Sequence, residues 1–193
     1  MNHLAHVFLA PDSAEARVGS VMGDFTRGVD LSALPADVRL GVHHHRRVDG
    51  FTDRHPEVLA SKALFSPQRR RFAGVALDVL YDHFLLRHWS RYARAGSGPF
   101  IRQVYGEFRC HRDVMPDRMR RVTDRMASHD WFNAYRDLDN IGQALDRIAE
   151  RVRFTNQFAG MIDEIQAHED ELEARFLRFF DHLHHVSEEF ECD

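Results

Sequence analysis

The apolar residues of segment 72–86 fall on every side of a helical wheel, which is typical of a helix buried on all faces. The segment reads Phe-Ala-Gly-Val-Ala-Leu-Asp-Val-Leu-Tyr-Asp-His-Phe-Leu-Leu. Its only ionisable side chains other than Tyr81 are Asp78, Asp82 and His83. We therefore expect a helix at the centre of the protein, with two carboxylates and an imidazole in an apolar setting.

A second pattern lies near the carboxyl end, where apolar residues recur every seven positions at Phe158, Ile165, Leu172 and Phe179. This spacing predicts a long helix that packs one face against its neighbours. No segment alternates in the way a strand does. The sequence predicts a single all-α domain over residues 1–193, a helical bundle with helices at about 2–10, 13–22, 35–49, 56–65, 67–94, 99–112, 116–128, 130–137, 140–152 and 155–186.

Composition narrows the class of protein. The formal net charge of −4 argues against a general nucleic-acid or membrane-surface binder. No apolar run approaches the roughly 18 residues of a membrane helix, and the first residues lack the basic start of a signal peptide. The two cysteines have no framework spacing, so we expect a reduced, cytoplasmic setting.

Buried carboxylates are costly unless they pair, lose their charge or bind a metal. Asp78 and Asp82 are one helical turn apart and share a face, and His83 follows about 100° further round. This combination predicts part of a metal site.

A second polar cluster occupies residues 41–53 and includes His43, His45 and Asp49. His45 and Asp49 are four apart and face the same way on a helix, which we expect Gly50 to end so that Thr52 and Asp53 cap the next one. The segment is either a solvated helix end or a second contribution to the metal site. Imidazole and carboxylate together suit Mn²⁺, Fe²⁺ or Zn²⁺, and carboxylates with water lean toward Mg²⁺ or Mn²⁺.

Two further residues are open to either interpretation. Asp24 lies between apolar neighbours in a glycine-bounded segment, where it either caps a short helix or is presented as a ligand. His6 is on a mostly apolar helix and is either a core histidine or a ligand.

Several enzyme signatures are absent from the sequence: the nucleophile elbow, the P-loop, the dinucleotide fingerprint and the paired Glu-x-x-His of di-iron bundles. Clustered histidine and aspartate suit metal-assisted hydrolysis, in which a metal acidifies a water and neutralises phosphoryl charge. Arg46 and Arg47 could clamp phosphate oxygens.

Four motifs in order resemble the acyl carrier protein phosphodiesterase family, a divergent relative of the HD-type metal phosphohydrolases. They are Asn2-x-Leu-Ala-His6, Gly-x-x-x-x-Asp24-Phe-x-x-Gly28, Gly41-x-His-x-His-Arg-Arg-x-Asp49-x-x-Thr-Asp53 and Leu77-Asp-x-x-x-Asp-His-Phe-Leu-x-x-His-Trp89. The resemblance implies a distorted HD-type fold that depends on Mn²⁺ or Mg²⁺. It also implies hydrolysis of holo-acyl carrier protein to apo-carrier and 4′-phosphopantetheine.

Carried onto this sequence, the resemblance makes Asp24 the essential acidic residue, and Asp82-His83 an HD doublet in reversed order. Our hypothesis takes the metal ligands from Asp24, His45, Asp78, Asp82 and His83, with His6, Asp49 and Asp53 as ligands or as partners that orient them. Arg46 or Arg47 would stabilise developing charge and His43 would protonate the leaving oxygen.

The carrier is acidic, so its docking should use a local basic patch. The two candidates are Arg69, Arg70 and Arg71 in one cluster, and Arg118, Arg120, Arg121 and Arg125 in the other. The alternatives are an HD-type phosphohydrolase for a nucleotide or other small phosphoester, a non-catalytic carrier- or metal-binding protein, and, more remotely, a di-iron oxidase.

Overall fold

Twelve α-helices and four short 3₁₀ turns make up the regular structure of residues 1–152 and 157–191, the part that the computed structural model describes. The helices are α1 (His3–Leu9), α2 (Ala14–Met22), α3 (Ala36–Arg54), α4 (Pro56–Ala63), α5 (Ala73–Arg87), α6 (Trp89–Tyr92), α7 (Ser97–Cys110), α8 (Asp117–Ser128), α9 (Trp131–Ala134), α10 (Leu138–Ala149), α11 (Met161–Ala167) and α12 (Glu169–Ser187). The described ranges contain no strand, which confirms the all-α prediction.

The central helix is confirmed as α5, but the prediction that it is buried on every face is wrong, because Val75 and the Asp78 side chain are each 41% exposed. Its residues Leu77, Leu80 and Phe84 are almost completely shielded from solvent and belong to one hydrophobic core that draws on helices from the whole described chain. The predicted continuous helix over 67–94 is wrong, because it is divided into a 3₁₀ turn at Arg70–Phe72, α5 and α6. The second break is at His88, after which Trp89 packs against Phe8.

Close packing of α2 on α3 depends on glycine. A Cβ on Gly19 would lie 2.0 Å from the carbonyl oxygen of Val38, and one on Gly41 would lie 2.1 Å from that of Ala16. The two backbones can approach this closely only because neither glycine has a side chain. The end of α2 and the 3₁₀ turn Gly23–Phe25 that follows it are thereby held against α3.

The third helix is longer than predicted. It continues through Gly50 to Arg54, so the prediction that Thr52 and Asp53 cap the next helix is wrong. The hydroxyl of Thr52 donates to the carbonyl of Val48 inside the helix, and Phe51 packs against Phe179 of α12. These contacts stabilise the extra turn, and the cap of α4 is instead the His55 ring, which accepts from the Glu57 amide.

The last predicted helix is divided at His168 into α11 and α12. Its seven-residue stripe is nevertheless buried, because Phe158, Ile165, Leu172 and Phe179 all belong to the core. The predicted start of this helix at 155 lies outside the described residues. Within those residues, no helix has both the length and the apolar character that crossing a membrane requires.

Candidate metal centre and active site

Three side chains from two helices bring their donor atoms within 4.8 Å of one another: His6 of α1, and His45 and Asp49 of α3. Asp49 Oδ1 lies 3.1 Å from His6 Nε2, and Asp49 Oδ2 lies 3.1 Å from His45 Nε2. Asp49 therefore contacts both imidazoles. The two rings stack with their centroids 3.9 Å apart, so both edges face the same space.

The orientation of His45 is set by its backbone surroundings. Its Nδ1 lies 2.7 Å from the carbonyl oxygen of Ser20, to which it can only donate. The backbone of Gly23 lies against the ring, where an added Cβ would come within 2.2 Å of the ring carbon Cγ. In a neutral ring this arrangement leaves the Nε2 lone pair directed at the carboxylates of Asp49 and Asp24.

His6 is fully buried; its Nδ1 forms no hydrogen bond with a described residue, and its Nε2 faces the Asp49 carboxylate at 3.1 Å. Burial lowers the pKa of His6 to about 3, so the ring is neutral at physiological pH. The 3.1 Å between His6 Nε2 and Asp49 Oδ1 is also a separation that two ligands of one metal ion can have.

The cluster opens to solvent on its carboxylate side, where the Asp49 and Asp24 side chains are 39% and 46% exposed. Asp24 Oδ1 is 3.7 Å from His45 Nε2, and Asp24 Oδ2 is 3.4 Å from His3 Nδ1. Burial alone would raise the pKa of Asp49, but its contacts with His45 and His6 hold that pKa below its usual value. Both carboxylates are therefore accessible from solvent.

Sequence reasoning missed His3, although it precedes His6 by three residues and so lies on a neighbouring position of the same helix surface. It also did not anticipate the Met1 ammonium group, which lies 3.1 Å from Asp49 Oδ1 and 3.0 Å from Asp78 Oδ1. Asp78 is thus joined to the cluster through Met1.

Asp82 and His83, both predicted ligands, have other partners. The two carboxylate oxygens of Asp82 accept from the backbone amides of Leu4 and Ala5, at distances of 3.1 and 2.9 Å. Burial raises the pKa of Asp82 to about 7, against the effect of these two amides. Asp82 therefore anchors the start of α1, which carries His6.

His83 and Asp53 also lie outside the three-residue cluster. His83 Nδ1 donates a hydrogen bond to the Tyr135 carbonyl oxygen, 2.8 Å away. Its Nε2 lies 3.0 Å from the guanidinium of Arg87. Asp53, one turn beyond Asp49, pairs with Lys62 at 3.2 Å.

Among the predicted catalytic residues of α3, only Arg46 is both exposed and close to Asp49 along the helix surface, three residues before it. Arg47 donates to the carbonyl oxygen of Phe190, and its guanidinium lies over that ring. His43 is exposed and two residues from His45, so the two point about 200° apart.

The two predicted basic patches differ in how their side chains are used. Arg69 donates to three backbone carbonyls of segment 157–160 and pairs with Glu164, and Arg70 donates to the Ala63 and Phe65 carbonyls. These two arginines tie chain segments together. Arg71 is exposed and its guanidinium lies over the ring of Phe72.

The second predicted patch lies on the solvent-facing side of α8. Arg118, Arg121 and Arg125 are exposed, and none of them forms an ion pair with a residue in the described ranges, whereas Arg120 pairs with Asp117. The Arg118 guanidinium lies over the ring of Phe25, the residue after Asp24. This patch therefore begins beside the histidine–aspartate cluster.

The donor set of the cluster fits a divalent transition-metal ion. It provides imidazole nitrogen from His6 and His45 and carboxylate oxygen from Asp49, with Asp24 in reach of His45. The Ser20 carbonyl holds one imidazole in the form whose other nitrogen can bind, as backbone partners of ligand histidines usually do. Nitrogen and oxygen donors together suit Mn²⁺ better than Mg²⁺.

Comparison with known proteins identifies the family of this chain. The sequence model of the family described as acyl carrier protein phosphodiesterase matches residues 1–183. A protein of that name from Enterobacter sp. (strain 638) is 35% identical over 181 residues, which cover 93% of this chain and 94% of the relative. The protein of the same name from Escherichia coli O6:H1 is 36% identical over 188 residues, with the same shares covered. No solved structure matches. The chain belongs to the acyl carrier protein phosphodiesterase family of hydrolases.

Proposed function

We propose that this protein hydrolyses the phosphodiester that joins 4′-phosphopantetheine to an acyl carrier protein, releasing the apo-carrier and free 4′-phosphopantetheine. The observation that carries the proposal is the convergence of His6, His45 and Asp49 donor atoms within 4.8 Å, in a chain of this family. The Asp49 and Asp24 carboxylates on the open side of this cluster are accessible to a phosphodiester held by a second protein.

His6, His45 and Asp49 would hold Mn²⁺ or Mg²⁺, with Asp24 as the additional carboxylate. The bound ion would supply charge neutralisation at the phosphoryl oxygens and acidify a water. His6 contributes a neutral ring, because burial keeps its pKa near 3. The Ser20 carbonyl fixes the tautomer of His45, and Asp82 fixes the start of the helix that carries His6.

The positive charges that would act on the phosphodiester come from two arginines. Arg46 is exposed one turn before Asp49, and Arg118 lies over Phe25 beside Asp24. A guanidinium can bind two phosphate oxygens at once and orient the group for attack. Arg47 has its own partner in the Phe190 carbonyl, so we place Arg46 rather than Arg47 in this role.

The acidic carrier would dock on the exposed face of α8 that carries Arg118, Arg121 and Arg125. These side chains make no ion pair within residues 1–152 and 157–191, so their positive charge is presented to solvent. Attraction between opposite charges would guide the carrier toward the cluster even though the enzyme has a net charge of −4.

The test is an intact-mass assay on holo-acyl carrier protein with metal-stripped enzyme, to which Mn²⁺ or Mg²⁺ is then added. We expect the carrier to lose the mass of phosphopantetheine only when metal is present, and Asp49→Asn to abolish this loss. Arg178→Gln, on α12 and outside the cluster, is the control and should retain turnover.

A carrier that keeps its mass in the presence of folded, metal-loaded wild-type enzyme would contradict the proposal. Hydrolysis of small phosphoesters in the same preparation would then favour the alternative of a small-molecule phosphohydrolase. Metal binding without any turnover would favour a binding protein.

A further inference from the structure

A cavity of about 230 Å³ lies next to the cluster, between the start of the chain, α5 and the segment formed by α9 and α10. Asn2 and His3 form one side of it, and Val79 of α5 contributes to the wall. None of the functional roles described above uses this cavity.

His3 connects the cavity with the candidate active site. Its ring lines the cavity, while its Nδ1 lies 3.4 Å from Asp24 Oδ2. The ring of His3 also stacks on that of Phe25, with centroids 6.2 Å apart. A ligand whose phosphate lies at the cluster could therefore extend past His3 into the cavity.

The lining combines apolar and amide groups. Val79, Trp131 and Ile148 are apolar, and Asn2 and Asn140 contribute carboxamides. The Asn140 amide nitrogen donates to the Ala134 carbonyl, which leaves its oxygen as an acceptor for a ligand. Such a lining suits a chain in which methylene and methyl groups alternate with amides, as they do in pantetheine.

The volume of the cavity suits one part of a linear ligand better than a whole drug-sized molecule. Pockets that enclose a drug-sized molecule typically have volumes of about 300–1,000 Å³, and this one is smaller. Arg147 and Arg151 also line it, both are exposed, and neither forms an ion pair within the described ranges. Their positive charge would attract the acidic carrier whose arm enters the cavity.

We propose that this cavity binds the pantetheine arm of the substrate while the phosphodiester lies at the His6–His45–Asp49 cluster. The inference rests on the proposed function, because it assigns the arm of that same substrate to a place on the enzyme. The amides of the arm would bind the Asn2 and Asn140 carboxamides, and its methyl groups would contact Val79, Trp131 and Ile148.

The first test measures binding without turnover. The chain has two tryptophans, so its nitrogen-15 spectrum should contain two indole signals. Pantetheine, which has no phosphate, is titrated into metal-stripped enzyme. We expect the Trp131 signal to shift and the signal of Trp89 to stay, since Trp89 is buried and donates its indole N–H to the Ala95 carbonyl. Binding that leaves Trp131 unchanged, or no binding at millimolar pantetheine, would overturn the inference.

The second test fills the cavity. Ala144→Leu adds bulk to its lining, and Ala174→Leu adds the same bulk at an exposed position of α12. We expect Ala144→Leu to raise KM for holo-carrier about tenfold or more and to abolish the Trp131 shift, while Ala174→Leu changes neither. Hydrolysis of a small phosphodiester without the arm should be equal in both variants.

The outcomes separate this inference from the proposed function. If wild-type enzyme cleaves holo-carrier but Ala144→Leu has an unchanged KM, the cavity assignment is wrong and the activity stands. If pantetheine shifts Trp131 but wild-type enzyme leaves the carrier intact, the arm site stands and the proposed hydrolysis is wrong.

Discussion

At the scale of single residues, the same side-chain types perform different tasks according to their partners. Asp49 contacts two imidazoles and is 39% exposed, whereas Asp82 is fully buried with both oxygens bound to backbone amides. Both were candidate ligands by sequence. Their surroundings place Asp49 at the cluster and give Asp82 the task of holding α1 in place.

The burial of Asp82 predicts that replacing it lowers the stability of the protein more than replacing Asp78, the other carboxylate of α5. Asp82→Ala would leave the Leu4 and Ala5 amides buried without an acceptor, so we expect the free energy of unfolding to fall by roughly 2–4 kcal/mol. Asp78→Ala removes a carboxylate that is 41% exposed and should cost less than about 1 kcal/mol. Urea denaturation of both variants measures these changes.

The binding of Mn²⁺ to the same two variants is measured by calorimetric titration. A stability loss below about 1 kcal/mol in Asp82→Ala, together with complete loss of Mn²⁺ binding, would contradict the anchoring role. That result would return Asp82 to the ligand set.

At the scale of elements, the site depends on how closely the end of α2 approaches α3. Gly19 and Gly41 allow the two helices to pack, and Gly23 then brings the backbone that carries Asp24 against the His45 ring. The spacing of residues within each helix does not predict how closely α2 approaches α3. It arises from contacts between residues that are about 20 positions apart in the chain.

Gly23→Ala tests this packing. An added Cβ would lie 2.2 Å from His45 Cγ, so the ring must move, and a displacement of about 1 Å at a reacting centre can lower the rate about 100-fold. We expect kcat on holo-carrier to fall at least tenfold, with weaker Mn²⁺ binding and near-normal helicity by circular dichroism.

The matched control is Gly106→Ala in α7, where an added Cβ meets nothing within 4 Å. Because alanine is the better helix former, this variant should keep full activity and gain about 0.5–1 kcal/mol of stability. Wild-type turnover in Gly23→Ala would show that the His45 ring position is not critical.

At the scale of the whole molecule, charge is distributed unevenly. The net charge is −4, yet the exposed face of α8 carries Arg118, Arg121 and Arg125 without an ion pair in the described part of the chain. By contrast, the arginines of α12 are paired, for example Arg178 with Glu57. Net charge alone would not predict attraction of an acidic carrier.

Arg121→Gln and Arg178→Gln remove the same charge from these two places. We expect Arg121→Gln to lower kcat/KM for holo-carrier about fivefold at low salt, which corresponds to ~1 kcal/mol for one exposed charge pair. Because salt screens exposed charges, the difference from wild type should shrink at high ionic strength. Arg178→Gln should match wild type at both. Equal effects of the two variants would contradict docking on α8.

The sequence by itself determined the all-α class, the central helix and the family, because periodicity and motif spacing are properties of neighbouring positions along the chain. It also singled out His6, His45, Asp49 and Asp24, the residues that the structure brings together. Which carboxylates share the cluster was decided only by tertiary structure. The sequence made both Asp82 and Asp49 candidate ligands. Three-dimensional packing brings backbone amides to the oxygens of Asp82 and imidazoles to the oxygens of Asp49.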